Sequence, residues 1–203
     1  MYKNKKKQGG KQKEPARVRQ MIVSSVDKDG NLVIPKKLKS LDYYLLDERV
    51  KSIFIHASIR NIDVDALAGF PNLERIEVDS NNLKYYSENN CLIERDTKRL
   101  IKGALLSKIP SDVKIIGKEA FASCDNLKGI VIPASVHTIE FSAFVGLPEL
   151  EDVTIPKTVM VIENYAFFDC PKLAIKVVKR EVPFKRLDED WYEENVPWIE
   201  VEE

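Results

Sequence analysis

Three cysteines, two histidines and one acidic turn are the residues of this chain best suited to chemistry. Cys91, Cys124 and Cys170 offer a disulfide, a metal ligand or a thiolate nucleophile. His56 and His137 are the available imidazole bases. Neither has a Cys-x-x-Cys or His-x-x-x-His pair beside it, so the spacing offers no zinc site. Nucleophilic catalysis needs a serine or cysteine, a base and an orienting acid in one place, and no such set is spelled here. None of the eight glycines forms a phosphate-cradling loop. Asp27-Lys28-Asp29-Gly30-Asn31 starts like a calcium loop, but Leu38 stands where the closing glutamate belongs. A hairpin turn at Asp29-Gly30 accounts for the same residues. No cofactor and no metal is expected, and the chain reads as a non-enzyme.

What positions these residues is a repeat. Ile109-Pro110, Ile132-Pro133 and Ile155-Pro156 are 23 residues apart. The same step relates Val113, Val136 and Val159, then Ile116, Ile139 and Ile162, then Ala120-Phe121, Ala143-Phe144 and Ala166-Phe167. Upstream, Ile55, Ile59, Ile62, Ala66-Leu67, Phe70 and Leu73 fill the same slots, and Ile34-Pro35 opens a coil shorter by two residues. A fixed period of this length is the mark of a solenoid. A lone coil buries about six apolar side chains at roughly 1.5–3 kcal/mol each. Ordering its backbone costs on the order of 1–2 kcal/mol per residue, so only stacked coils are stable. Cys124 and Cys170 share one slot two coils apart, about 10 Å by strand spacing, too far for a disulfide at ~7 Å. Cys91 has no partner in its slot. All three are expected as buried thiols, which suits a reducing compartment.

Each coil carries one alternating strand, such as Ile130-Val131-Ile132, that ends at proline or its equivalent. Seven strands are expected, near 32–34, 53–55, 76–78, 107–109, 130–132, 153–155 and 175–177, in one sheet about 29 Å wide. The Ala-Phe pairs should sit in short helical turns, with Phe121, Phe144 and Phe167 forming an internal ladder. The coil at 79–109 is longer, 31 residues from Val78 to Ile109. Its Leu92-Ile93 and Leu100-Ile101 flank Asp96-Thr97, which predicts a protruding hairpin, with Tyr85 and Tyr86 packed against the edge of the stack.

The spelling Ile-Pro-x-x-Val-x-x-Ile-x-x-x-Ala-Phe-x-x-Cys-x-x-Leu resembles the BspA-type leucine-rich repeats. The long coil, with Tyr-x-Ser, Leu-Ile and Leu-Ile-Lys, is similar to that family's longer variant. The resemblance covers about residues 32–177. It implies a right-handed leucine-rich-repeat solenoid, an α/β horseshoe rich in β, with about six to seven coils of ~23 residues over 21–178. It also implies an interaction or adhesion module, often on a cell surface, with a protein partner or a glycan on the concave strand face.

The ends differ from the middle. Residues 1–20 carry eight basic residues against Glu14 and predict a disordered tail. Residues 179–203 are acidic and break the repeat, predicting a cap in which Phe184, Leu187, Trp191 and Trp198 cover the end of the stack. No apolar run is long enough for a membrane span. With no secretory leader after Met1, the cytoplasm is the expected compartment if Met1 is the native start; the family resemblance implies the surface instead. Residues 21–38 also resemble an AbrB-type swapped hairpin, the alternative being DNA binding helped by the basic tail. The outward strand positions show no ladder of one charge, which argues against nucleic acid on that face. The candidate ligand-binding residues there are Phe54, His56, Arg75, Glu77, Lys108, Val131, Asp152 and Thr154, and a monomer is expected.

Overall fold

Apolar residues at period two, returning once per coil, build parallel strands. In the computed structural model, which describes residues 16–42, 46–192 and 196–202, these strands stack slot upon slot. Asn31–Val33, Ser52–Ile55 and Arg75–Val78 form one parallel sheet, with Leu32, Ile53 and Ile76 in register. Asp152–Ile155, Ala174–Val178 and Trp198–Val201 form a second on the same plan. Ile53, Ile55, Val153 and Ile155 are buried, whereas Arg75, Glu77, Asp152 and Thr154 face outward.

The expected single sheet is interrupted. Residues 107–109 and 130–132 form no strand, and only an isolated bridge between Gly129 and Asp152 joins this region to its neighbour. The cause lies in the long coil. Tyr85–Glu88, Cys91–Glu94 and Arg99–Lys102 make an antiparallel meander. Its first turn uses Asn89 and Asn90 at φ 49° and 62°, the left-handed region that asparagine tolerates. The meander does not protrude. It continues a seven-stranded sheet on another face of the stack, through Ile115–Ile116, Thr138–Ile139, Val161–Ile162 and Arg186–Leu187. The reason is that its strands are apolar on both sides. Cys91, Ile93 and Leu100 enter one core, while Leu92 and Ile101 enter another. A strand with two apolar faces must be covered twice, so the meander becomes a wall between two cores. Tyr85 is buried in the core that Leu92 enters, and Tyr86 packs against the core that Cys91 enters.

The Phe ladder forms as expected. Phe121 and Phe144 stack with centroids 5.1 Å apart, Phe144 and Phe167 at 5.0 Å. Their turns are hydrogen-bonded but not helical, with Glu119, Ser142 and Tyr165 at φ 54–59° in one shared slot. That conformation aims main-chain N–H groups at the next coil: Phe121 donates to Ala143 O at 2.9 Å and Phe144 to Ala166 O at 2.8 Å.

Both ends depart from expectation. Ala16–Val23 is a helix, so it crosses the boundary drawn at residue 20, and the rest of the expected tail lies outside the described residues. The helix also occupies the place of the first strand that an AbrB-type hairpin needs. The turn itself is as expected, closed by a Val26–Leu32 bridge with Gly30 at φ 83°. A Cβ on Gly30 would meet Arg49 O at 2.3 Å. The Asp27 carboxylate accepts from the N–H groups of Asp29 and Asn31 and from Asn31 Nδ2, which fills it with the turn's own donors. The acidic C-terminal segment continues the stack instead of breaking it: Arg186–Leu187 pairs with Val161–Ile162, and Trp198–Val201 with Ala174–Val178. Trp191 covers the ladder, edge-on to Phe167 at 6.0 Å, and Phe184 packs against the same core. Leu187 and Trp198 do not cover it; they stay 43% and 45% exposed.

Candidate binding face

The residues singled out for chemistry are dispersed through the stack, and most of them are buried. The three cysteines are free and buried. Burial pushes the Cys91 thiol up to about 12 and raises Cys124 as well, which suppresses the thiolate. Cys170 Sγ lies 3.1 Å from Phe144 O, as a thiol donating to its carbonyl would. His137 is on the seven-stranded side, its Nδ1 3.0 Å from Thr138 Oγ1. Among the described residues no cluster of three or more His, Cys, Asp or Glu is placed to hold a metal.

Seven of the eight candidate binding residues fall into two groups on the long-strand face. Phe54, Arg75 and Glu77 share the paired N-terminal sheet, beside a depression of about 290 Å³. Lys108, Val131, Asp152 and Thr154 line a groove of about 850 Å³ over the interruption. His56 belongs to neither surface. It is 9% exposed, edge-on to Phe54 at 5.0 Å. The sequence carried the signal for this: His56 follows Ile55 as proline follows Ile34, Ile109, Ile132 and Ile155, so it fills the proline slot and turns inward.

The electrostatics of the two groups also differ. Asp152 is held by Lys176 Nζ at 2.9 Å. Arg75, Glu77 and Lys108 make no ion pair among the described residues. The floor of the groove is apolar, from Ile109, Ile130 and Ile132, and its uncompensated charge is the Lys108 ammonium. The groove therefore combines an apolar floor with one positive charge unpaired among the described residues.

Two features escaped the reading of the sequence. One is a ladder of carboxylates in the slot after the short strands Thr138–Ile139, Val161–Ile162 and Arg186–Leu187. Glu140 accepts the Lys118 N–H at 2.9 Å, Glu163 the Phe141 N–H at 3.0 Å and Asp188 the Asn164 N–H at 3.2 Å. Each acid thus clips the preceding coil, and the shared slot was there to be seen. Arg99 pairs with Glu140, and Arg186 pairs with Glu163 and Asp188. The other is Lys102, the lysine of the Leu-Ile-Lys segment. It is buried, burial lowers its pKa, and Nζ donates to Ala122 O at 2.5 Å. Only the wall-like position of the meander explains that burial.

Comparison with known proteins agrees with this geometry. A leucine-rich repeat protein of Eubacterium ventriosum shares 25% identity over 76% of this chain and 56% of its own, with a TM-score of 0.58. A leucine rich cell surface protein of Faecalibacterium prausnitzii shares 23% identity over 80% of this chain and 50% of its own, TM-score 0.59. The pneumococcal vaccine antigen PcpA shares the fold at 17% identity and TM-score 0.51, over 76% of this chain and 51% of that one. The chain therefore spans about half the length of these structures. None of the curated proteins matches the sequence. No helix among the described residues is long and apolar enough to cross a membrane. The model of the BspA type leucine rich repeat region matches six copies, over residues 21–94 and 106–182, which are the coils on either side of the meander's last strand. With that match over most of its length, and with its isoleucines, Ala-Phe turns and core cysteines stacked in the family's slots, the chain belongs to the BspA-type leucine-rich-repeat family.

Proposed function

We propose that this protein is a non-enzymatic binding module whose long-strand face holds a protein or glycan partner. One observation carries the reading. Phe54, Arg75, Glu77, Asp152 and Thr154 face outward from strands held in register, and Lys108 and Val131 face outward from the coils between them. A rigid array of this kind spends little conformational entropy on binding. Phe54 and Arg75 are of the side-chain types that dominate binding energy elsewhere. The raised, buried thiols of Cys91 and Cys124 support recognition over thiolate chemistry.

The test is capture of partners from lysate and from culture medium of the source organism, which addresses partner and compartment together. The double variant Phe54→Ala, Arg75→Ala is expected to lose the partner held by the wild type, with Tm nearly unchanged. A control variant, Phe168→Ala, alters an exposed ring on the turns and should keep it. Capture that survives the double variant and is lost in the control would move the site off this face.

A further inference from the structure

The interruption of the long-strand face leaves backbone groups free, whereas the strands Arg75–Val78 and Asp152–Ile155 that flank it are each paired along their far side. Val131 is 81% exposed. Neither Val131 nor Ile132 makes a backbone hydrogen bond among the described residues, whereas strands on both sides are in continuous register with their neighbours. The missing ladder has a local cause. Lys108 N–H donates to Asn89 O at 3.2 Å, Ser107 Oγ to Asn90 O at 2.8 Å, and Asn90 Nδ2 to Leu106 O at 3.1 Å. The first turn of the meander thus engages residues 106–108, which a regular coil would pair with 129–131.

Between these two segments lies the groove of about 850 Å³, floored by Ile109, Ile130 and Ile132. That is within the range of about 300–1,000 Å³ usual for ligand sites. Unpaired N–H and C=O groups beside an apolar floor are what an added strand completes: main-chain bonds supply affinity, and alternate side chains supply specificity. The unpaired Lys108 ammonium adds a charge preference, since Asp152 on the opposite wall already has Lys176. We propose that the groove takes an extended peptide of a partner protein by strand addition, with β-branched residues alternating along it and one acidic side chain at Lys108. This rests on the reading that the long-strand face is the binding surface, and it names the partner's conformation and charge.

The test uses the full chain and a pool of acetylated, amidated heptapeptides. Val, Ile or Thr occupies alternate positions, with one fixed Glu. Amide NMR is expected to show shifts at Ile109, Val131 and Ile132, with slowed hydrogen exchange at the last two. N-methylation of alternate peptide nitrogens in the best binder should weaken it about tenfold, the worth of a lost hydrogen bond or so. Lys108→Glu should weaken the Glu peptide about tenfold and be rescued when Lys replaces Glu in the peptide. Lys108 is exposed and makes no ion pair among the described residues, so the variant should fold. No shift in the groove at millimolar peptide overturns the proposal, as does an affinity indifferent to N-methylation. Shifts confined to Phe54, Arg75 and Glu77 overturn strand addition but leave the long-strand face as the binding surface. Shifts only off that face overturn both.

Discussion

On one side of the meander, Phe121, Phe144 and Phe167 lie ring on ring with interplanar angles of 8° and 5°, and Trp191 closes the stack. On the other side the equivalent slot holds Leu67, in a 3-10 turn at Val64–Leu67 whose N-cap is Asp63. The aromatic side spells its repeat strictly and joins its turns coil to coil through left-handed residues at 119, 142 and 165. The leucine side spells it loosely and holds its turn with a local cap. A turn bond still crosses between coils on the leucine side, Asp47 N–H to Gly69 O at 3.0 Å, so fidelity of spelling sets how regularly neighbouring coils share such bonds. The seam between the two halves is Gly103, pressed against the Phe121 ring.

The largest effect that tests this contrast is expected from Phe144→Ala. It empties a fully buried site between two rings and should cost about 3–5 kcal/mol in urea unfolding. Leu67→Ala, in the matching slot, should cost less, because stacked pairs add about 0.5–1.5 kcal/mol each beyond burial. Equal losses would mean that the ladder contributes nothing beyond its volume. Next is Gly103→Ala. Its Cβ would sit 2.2 Å from a Phe121 ring carbon, and that ring is backed by Phe144 and cannot retreat. Overpacking of about 1–3 kcal/mol is expected. Pairing it with Phe121→Ala, which makes room, should give a total well below the sum; simple additivity would show that the seam is not where the halves meet.

The smallest effect concerns the carboxylate ladder, where two acids in one slot should respond to pH with opposite sign. Burial raises Glu140 above its ordinary 4.5, against the pull of Arg99. The folded protein therefore keeps that proton to higher pH than the unfolded chain does. Its contribution is full below about pH 4.3 and is lost as pH rises through the raised value. The hydrogen bond from Arg186 holds Asp188 below its ordinary 3.8. Its contribution is present above about pH 3.9 and is lost as pH falls through the lowered value. Glu140→Gln should flatten the stability profile just above pH ~4.5, and Asp188→Asn should flatten it below pH ~4. Urea midpoints measured across that range decide it, and slopes of the same sign in both variants would refute the assignment.

Much of this was legible in the residues themselves. The 23-residue step of Ile-Pro, Val, Ile and Ala-Phe predicts the stack, the inward isoleucines and the Phe ladder, because equal spacing puts equal letters in contact. The buried thiols follow from their slots. The strands at 107–109 and 130–132 were misjudged, since their spelling is as good as that of 153–155; they fail to pair because of a hydrogen-bond contest with Asn89 and Asn90. The exposed Leu187 and Trp198 were misjudged because type predicts a preference for burial, not whether a neighbour is present to bury them.

By itself, then, the sequence determined the repeat: period, inward and outward residues, and the identity of the ladder. Periodicity is a local property, written in spacing. Only the tertiary structure decided that the long coil divides the interior into two cores, that Lys102 lies inside the wall between them, and that the long-strand face is broken over Val131. Those outcomes depend on which of several main-chain partners each segment meets first in space, and that competition among donors and acceptors leaves no mark on the order of the letters.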